Sequence, residues 1–221
     1  MVGTAEDETI LFGPGPGAGN VQLKRNGIQL GTFHPADRLT AHGLDGDDTI
    51  QVAGSIDVSA WLYGDAGDDV LNGGAGHDVV LGGAGDDLLI GQSGRDVMIG
   101  GVGADRILGN AGEDILIAGY VELADGAALE PVLDAVMNRW TSEDDWEVRY
   151  DDVKSDFLVT DGENATVFDD DAKDVITGSA GTDWCFAQLD GDNGTAIDKI
   201  TDWRADKHAP DDLDFLLLDA P

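Results

Sequence analysis

Cations and cysteine are what this chain has least of. Of 221 residues only 12 are Lys or Arg, against 45 Asp or Glu, a formal net charge of −33. Binding to nucleic-acid phosphates needs clustered Lys and Arg, so that class of function is excluded, and an anionic membrane surface is equally disfavoured. The single cysteine, Cys185, allows no intramolecular disulfide and no thiolate metal cluster, and is expected to be a small core residue. No stretch approaches the length of a membrane span, which argues against membrane insertion, and residues 1–20 lack the basic start and apolar centre of a cleavable signal peptide. The abrupt opening Met1-Val2-Gly3-Thr4 reads as a fragment of a longer protein, with Met1 added. Catalytic signatures are missing as well. His34, His42, His77 and His208 show no H-E-x-x-H spacing and are expected to be exposed; no G-x-S-x-G elbow or G-x-x-x-x-G-K loop occurs. Among so many acids no one pair stands out for glycoside hydrolysis, so no catalytic residue is assigned and the chain is not read as an enzyme.

What the chain does have is apolar content, 42%, too high for a plain acidic disordered tail, and 32 glycines, about twice the usual share. Both are organised. From Gly64 to Ile117 the sequence divides into six blocks of nine: GDAGDDVLN, GGAGHDVVL, GGAGDDLLI, GQSGRDVMI, GGVGADRIL and GNAGEDILI. Each block has Gly at positions 1 and 4, Asp at position 6 and an apolar residue at position 8, namely Leu71, Val80, Leu89, Met98, Ile107 and Leu116. Glycines at positions 1 and 4, and often 2, predict turns with positive φ, while Asp65, Gln92 and Asn110 at position 2 are expected to bend their turns. The last three residues predict a short strand whose middle side chain points inward. Nine residues then make one turn and one strand, and two blocks make one coil around an apolar interior. Stacking such coils as parallel strands about 4.8 Å apart puts Asp69, Asp87 and Asp105 in one column and Asp78, Asp96 and Asp114 in another.

Carboxylates stacked at that spacing repel by roughly 1 kcal/mol in water and about 3–4 kcal/mol at an effective dielectric of 20. Several such contacts would unfold a small domain of ordinary stability, whereas a cation between them reverses the sign. The donors on offer are carboxylate and turn-carbonyl oxygens in flexible loops. Such hard donors suit Ca²⁺, with its six to eight oxygens, better than Mg²⁺, and the absence of His and Cys from the pattern disfavours Zn²⁺.

The blocks resemble the repeat-in-toxin nonapeptide G-G-x-G-x-D-x-U-x, the hemolysin-type calcium-binding repeat. That resemblance implies a parallel β-roll with Ca²⁺ held between turns by the position-6 Asp and turn carbonyls, in a protein exported to a calcium-rich exterior. Carried over by position, the implied metal ligands are Asp69, Asp78, Asp87, Asp96, Asp105 and Asp114.

The pattern extends beyond the six blocks. GLDGDDTIQ, Gly43–Gln51, adds Asp48, three residues out of phase with Asp69. GTAEDETIL, Gly3–Leu11, is a degenerate copy with Glu8 at position 6. Around Val52–Tyr63 the Asp is missing, but Leu62 fills the apolar slot. Alternation about Asn26-Gly27 predicts a hairpin, and Gly13–Gly17 a loop. After Ile117 the repeat stops, and Leu129, Val132, Leu133, Val136, Met137 and Trp140 recur at helical spacing, with Pro131 near the start. Ser142 and Asp145 predict a capping box for a second short helix through Tyr150, and the apolar stripe is expected to pack on the side or end of the coil. DDDAKDVIT and GSAGTDWCF then resume the repeat with Asp174 and Asp183 at position 6. Asp190–Gly194 partly resembles an EF-hand loop but has Thr195 at its sixth position and reads as a turn.

The expected fold is therefore mainly β, a parallel β-roll or β-solenoid of nonapeptide repeats with a small α-helical insertion. Residues 1–42 form a β capping segment with a degenerate repeat, 43–118 the calcium-binding roll, 119–158 the insertion, and 159–221 the resumed repeats and C-terminal cap. The expected cofactor is several Ca²⁺ ions on Asp48, Asp69, Asp78, Asp87, Asp96, Asp105, Asp114, Asp174 and Asp183. The whole arrangement resembles C-terminal regions of large secreted or surface proteins of bacteria, planctomycetes above all, and the tail Asp211–Pro221 resembles the uncleaved signal of type I secreted proteins, or else closes the roll as a last strand. The leading expectation is a secreted or cell-surface module that folds on calcium. A calcium-dependent adhesive or self-assembling surface module, and an accessory domain of a secreted hydrolase, are the alternatives.

Overall fold

A computed structural model describes residues 1–123, 128–156, 166–187, 198–201 and 216–217. The chain is mainly β. Its strands begin with β1 (Thr9–Pro14), β2 (Val21–Arg25), β3 (Ile28–Phe33), β4 (Leu39–Asp45), β5 (Thr49–Val52), β6 (Ala60–Ala66) and β7 (Val70–Gly74). They continue with β8 (Val79–Ala84), β9 (Leu88–Gly94), β10 (Val97–Val102), β11 (Arg106–Gly112), β12 (Ile115–Ile117) and β13 (Tyr120–Val121). Helices α1 (Leu129–Trp140) and α2 (Trp146–Asp156) follow, then β14 (Val167–Phe168), β15 (Val175–Ala180), β16 (Trp184–Ala187), β17 (Lys199–Ile200) and β18 (Leu216–Leu217).

From β4 to β12 successive strands alternate between two sheets. One is ordered β17-β15-β11-β9-β7-β5-β1-β2-β3, the other β18-β16-β12-β10-β8-β6-β4. The second is parallel throughout; the first is parallel except where the β2–β3 hairpin adds antiparallel strands beside β1. That hairpin turns at Asn26 and Gly27, both with positive φ, as its sequence requires. Strand register places equivalent positions side by side: Leu71 beside Leu89 beside Ile107, and Val80 beside Met98 beside Leu116. These position-8 side chains are fully buried between the sheets, with Ile50, Leu62, Ile176 and Cys185 continuing the same stack. The degenerate segments join it too, since β1 lies parallel to β5 and puts Ile10 beside Ile50.

The helices cover the outer face of the seven-stranded sheet. Leu133, Val136, Met137 and Trp140 of α1, with Tyr150 and Val153 of α2, pack onto Val79, Val97, Ile99, Ile115, Ile117, Trp184 and Phe186. These sheet residues occupy positions 7 and 9 of alternate blocks. In the intervening blocks the same positions hold Val70, Asn72, Leu88, Arg106 and Leu108, which are half-buried or exposed. So the seven-stranded sheet is apolar on both faces, and the insertion supplies the layer its second face needs. The second helix differs from expectation: it starts at Trp146 and runs to Asp156, and Ser142 Oγ pairs with Asp144 instead of forming a box with Asp145. Leu216–Leu217 adds a parallel strand beside β16. The remainder of the tail, the Asp190–Gly194 turn and His208 lie outside the described residues.

Turn chemistry corrects two expectations. Position 1 glycines do not have positive φ; positive φ falls at position 4, as at Gly67 (130°), and at position 2. Nor do the substituted position-2 residues bend their turns: Asp65 (73°), Gln92 (76°) and Asn110 (75°) take the conformation glycine takes in the other blocks. Leu44 does so as well, at 84°. A left-handed conformation costs an L-residue roughly 1–2 kcal/mol, less for Asn. Because Leu44 is exposed and holds no core contact, Leu44→Asn is expected to raise stability by about 0.5–1 kcal/mol, or Tm by about 2–3 °C. A thermal melt showing no gain would refute strain at this turn.

Candidate carboxylate ladders

The position-6 aspartates sit where each turn enters its strand, and the alternation of strands sorts them onto two edges of the coil. On the first edge each Asp Oδ1 accepts the backbone N–H of the equivalent residue one coil earlier. Asp69 donates to Asp87 (2.8 Å), Asp87 to Asp105 (2.8 Å), Asp105 to Asp174 (2.6 Å) and Asp48 to Asp69 (2.7 Å). On the second edge Asp78 donates to Asp96 (2.8 Å), Asp96 to Asp114 (3.0 Å) and Asp114 to Asp183 (3.0 Å). All nine predicted residues thus fall into two continuous rows, and neither the three-residue phase shift before Asp69 nor the helical insertion breaks a row. Two members were missed as site residues. Glu8 heads the first row, its N–H donating to Asp48 Oδ1 (2.7 Å), and Asp198 extends it past Asp174 (2.9 Å). Asp198 precedes Lys199-Ile200 as Asp174 precedes Val175-Ile176, a signal hidden because positions 1 and 4 before it hold Asn193 and Ala196 instead of glycine. Ala60 takes the aspartate's place before β6: its N–H donates to Asp78 Oδ1 at 2.7 Å, but it brings no carboxylate.

The second oxygen of each carboxylate is the notable atom. Oδ2 of Asp48, Asp69, Asp78, Asp87, Asp96, Asp105, Asp114 and Asp174 is buried and has no hydrogen-bond partner among the described residues. In every one of these but Asp174, whose block has Asp169 at position 1, it lies against the position-1 glycine of its own block, and this explains that glycine. A Cβ on Gly64 would strike both Asp69 Oδ2 and the carbonyl oxygen of Gly82, the position-1 residue of the next coil. The same pair of oxygens, Oδ2 and a neighbouring carbonyl, crowds Gly82, Gly91, Gly100 and Gly109. These junctions therefore bring a carboxylate oxygen and a backbone carbonyl oxygen to one point, and the carboxylate oxygen has no hydrogen-bond donor among the described residues.

Burial sets the protonation of these groups. Desolvation pushes Asp69, Asp78 and Asp87 up to about 7 and Asp105, Asp114 and Asp174 up to about 8; the N–H donated to Oδ1 pulls back only part of this, and neighbouring carboxylates add to the rise. Asp96 is raised well above the ordinary value by burial and then by Asp78, and Asp48 is raised by burial. No three His, Cys, Asp or Glu side chains among the described residues converge to cage an ion by themselves. The donor set at each junction is instead a carboxylate Oδ2 with turn carbonyls. All are hard oxygens; the carboxylate Oδ2 atoms are unpartnered among the described residues and ionise at neutral pH only at a cost, and the set fits a divalent cation that accepts irregular oxygen coordination.

None of the histidines among the described residues stands at position 6 of either row. His77 is exposed as expected; His42 is not, being half-buried, stacked on Tyr63 at 4.2 Å and paired with Asp65 at 3.2 Å. Cys185 is buried in the apolar slot. No helix among the described residues is long and apolar enough to cross a membrane.

Compared with known proteins, residues 60–89 and again residues 90–119 match a family model described as the RTX calcium-binding nonapeptide repeat (4 copies). No curated protein and no solved structure matches the chain.

Raised carboxylate pKa values mean that the metal-free fold holds more protons than the unfolded chain between about pH 4 and pH 8. Stability is then greatest at the acid end of that window and is lost as pH rises toward 8. In chelator, β content by far-UV circular dichroism, and Tm wherever a transition is seen, is expected to increase as pH is lowered from 8 to 5, and Asp87→Asn, Asp96→Asn and Asp105→Asn combined should flatten the dependence. A Tm that falls on acidification would refute the burial of these groups.

Proposed function

Residues 60–119 carry RTX calcium-binding nonapeptide repeats, and from that premise we propose that the chain is a β-roll module whose folding is driven by Ca²⁺. The observation that supports this most directly is the two rows of buried Oδ2 atoms without a hydrogen-bond partner among the described residues, those of Asp48, Asp69, Asp87, Asp96, Asp105 and Asp114 each crowding the same glycine as a backbone carbonyl oxygen. Asp48, Asp69, Asp87, Asp105 and Asp174 would hold ions along the first edge, and Asp78, Asp96, Asp114 and Asp183 along the second. Residues 43–118 form the main calcium-binding segment in this reading, capped by 1–42, with 119–158 inserted and 159–221 resuming the repeat. Bound Ca²⁺ would supply positive charge and a coordination partner for the Oδ2 lone pairs that no hydrogen-bond donor meets. What the chain itself does is bring those oxygens together: the glycines let the coils approach, and the position-8 residues hold the strands in register.

Binding energy becomes folding energy because the unfolded chain has no such rows. With a net charge of −33 the metal-free chain resists compaction, so the fold would form where calcium is plentiful, outside the cell, as part of a larger secreted or surface protein. Export by a type I route fits a chain kept unfolded before release. The module works as a calcium-set structural element and has no catalytic role in this reading.

Far-UV circular dichroism in EGTA, followed by Ca²⁺ with Mg²⁺ as control, tests it. A coil-to-β transition with Ca²⁺ and none with Mg²⁺ is expected, and Asp87→Ala with Asp96→Ala should raise the midpoint Ca²⁺ concentration. A fully β spectrum in EGTA that Ca²⁺ leaves unchanged, thermally as well as spectrally, would overturn the proposal.

A further inference from the structure

The two edges are alike at position 6 and unlike at position 5. On the first edge position 5 forms a second, outer row of carboxylates. Asp47 N–H donates to Asp7 (3.0 Å), Asp68 N–H to Asp47 (3.0 Å), Asp86 N–H to Asp68 (2.8 Å) and Ala104 N–H to Asp86 (2.8 Å). Four acids thus lie along the outside of the Asp48–Asp69–Asp87 row, with no ion pair to any of them among the described residues. Only past Ala104 does a cation, Lys173, enter this row.

On the second edge the same positions hold His77, Arg95, Glu113 and Thr182. His77 Nδ1 accepts the N–H of Arg95 at 2.8 Å. Arg95 Nε pairs with Glu113 at 3.0 Å, and Arg149 Nη2 pairs with the same carboxylate oxygen at 2.6 Å. Two guanidinium groups against one carboxylate leave a surplus positive charge in the position-5 row that runs outside Asp96 and Asp114. The surplus is fixed in place. Arg149 is almost wholly buried, with Nη1 donating to Trp140 O and Nε to Asp144 O, while Arg95 donates to Ser142 O. Trp140 Nε1 donates in turn to Glu113 O at 2.7 Å. The helical insertion thus presses two arginines onto the second edge and leaves the first edge bare.

We infer that the two edges differ in calcium affinity, with the Asp48–Asp69–Asp87 edge filling at lower free Ca²⁺ than the Asp78–Asp96–Asp114 edge. The difference is set by position 5 and by the arginines of and beside the insertion, and the inference rests on the calcium reading above. An ion entering the first edge is drawn by the outer carboxylates, which sit close enough to share hydrogen bonds with the adjacent coil. An ion entering the second edge meets cations instead, and one unit charge near a divalent ion in a water-like dielectric changes affinity by about three- to tenfold. The chain would therefore respond to calcium over two ranges, the outer edge of bare carboxylates first and the edge under the insertion second.

Stepwise removal of Ca²⁺ from the loaded full chain with a calibrated chelator tests this, with amide NMR resonances as reporters. The amides of Asp69 and Asp87 report the first edge, and those of Asp78 and Asp96 the second. The second-edge midpoint is expected at several-fold higher free Ca²⁺. Arg95→Gln should lower that midpoint about three- to tenfold and leave the first edge unmoved. Asp68→Asn with Asp86→Asn, which keeps the Oδ1 acceptors, should raise the first-edge midpoint by a similar factor even if Arg95→Gln loosens the insertion. Coincident midpoints for the two edges in all three proteins would overturn the inference while leaving the calcium reading standing. Amides that do not respond to Ca²⁺ at all would overturn the calcium reading itself.

Discussion

Everything in this molecule depends on a carboxylate that is asked to do two things at once. Oδ1 of each position-6 Asp is spent on the backbone of the neighbouring coil, which ties successive turns together at 2.6–3.0 Å. Because the same bond repeats at every coil, the carboxylates are carried into columns of like charges, and Oδ2 of Asp48, Asp69, Asp78, Asp87, Asp96, Asp105, Asp114 and Asp174 is left buried with no hydrogen-bond donor among the described residues. The stitching of the coil and its electrostatic liability are one geometry. At the spacing of stacked strands the repulsion is about 1 kcal/mol per contact in water and several times that in a protein interior. The metal-free molecule can relieve it by taking up protons, which is what the upward shifts of Asp69 through Asp174 express. The position-1 glycine belongs to the same requirement. Its Cβ would occupy the point where Oδ2 and the next coil's carbonyl meet, so glycine is there to leave room and not to supply an unusual backbone angle.

That requirement accounts for two of the nine positions, and the fold uses the rest asymmetrically. Position 8 always faces inward and is always apolar. Positions 7 and 9 face outward, and their character follows which sheet they join: Val79, Val97, Ile99, Ile115, Ile117, Trp184 and Phe186 on one, Asn72, Arg106 and Thr177 on the other. A sheet so apolar on its outer face needs a partner layer, and α1 and α2 fill that need with Trp140 at the centre, its ring 6.4 Å from that of Trp184. The same contact brings Arg149 into burial, compensated by two carbonyls and Glu113. A buried arginine of this kind specifies where the insertion sits more than it adds to stability.

Much of this was legible in the residues alone. The nine-residue period identified the strands, the inward side chains and the partners of each Asp, because stacking two blocks per coil leaves no freedom in which aspartates meet. The Asn26-Gly27 hairpin was equally plain. What could not be read was decided by tertiary contact. The docking face of the helices depends on the parity of positions 7 and 9 between alternate blocks, which a single-block consensus averages away. The burial of His42 against Tyr63 arises between strands β4 and β6, two half-coils apart in sequence. Asp198 has Asn193 and Ala196 where the frame puts glycine, and is recognised only by the N–H of Asp174 that it accepts. The role of the position-1 glycine was misassigned because composition reveals that glycine is needed, not whether the need is for a dihedral angle or for space.

The insertion also shows how little the repeat depends on continuity of the chain. Asp105 meets Asp174, and Asp114 meets Asp183, across 69 residues where the preceding partners are 18 apart. Closing a loop that much longer costs only about 1 kcal/mol more, since the entropy grows with the logarithm of length. That cost is offset by the parallel pairing of β11 with β15 and β12 with β16, and by the apolar layer beneath the helices. Once paid, it makes the Asp105–Asp174 and Asp114–Asp183 junctions the joints between two stretches of coil that are otherwise independent in sequence. Any interaction that strengthens those two junctions acts on far longer closures than the 18-residue ones beside them, and so has more disorder to remove from the unfolded chain than the same interaction anywhere within residues 64–117.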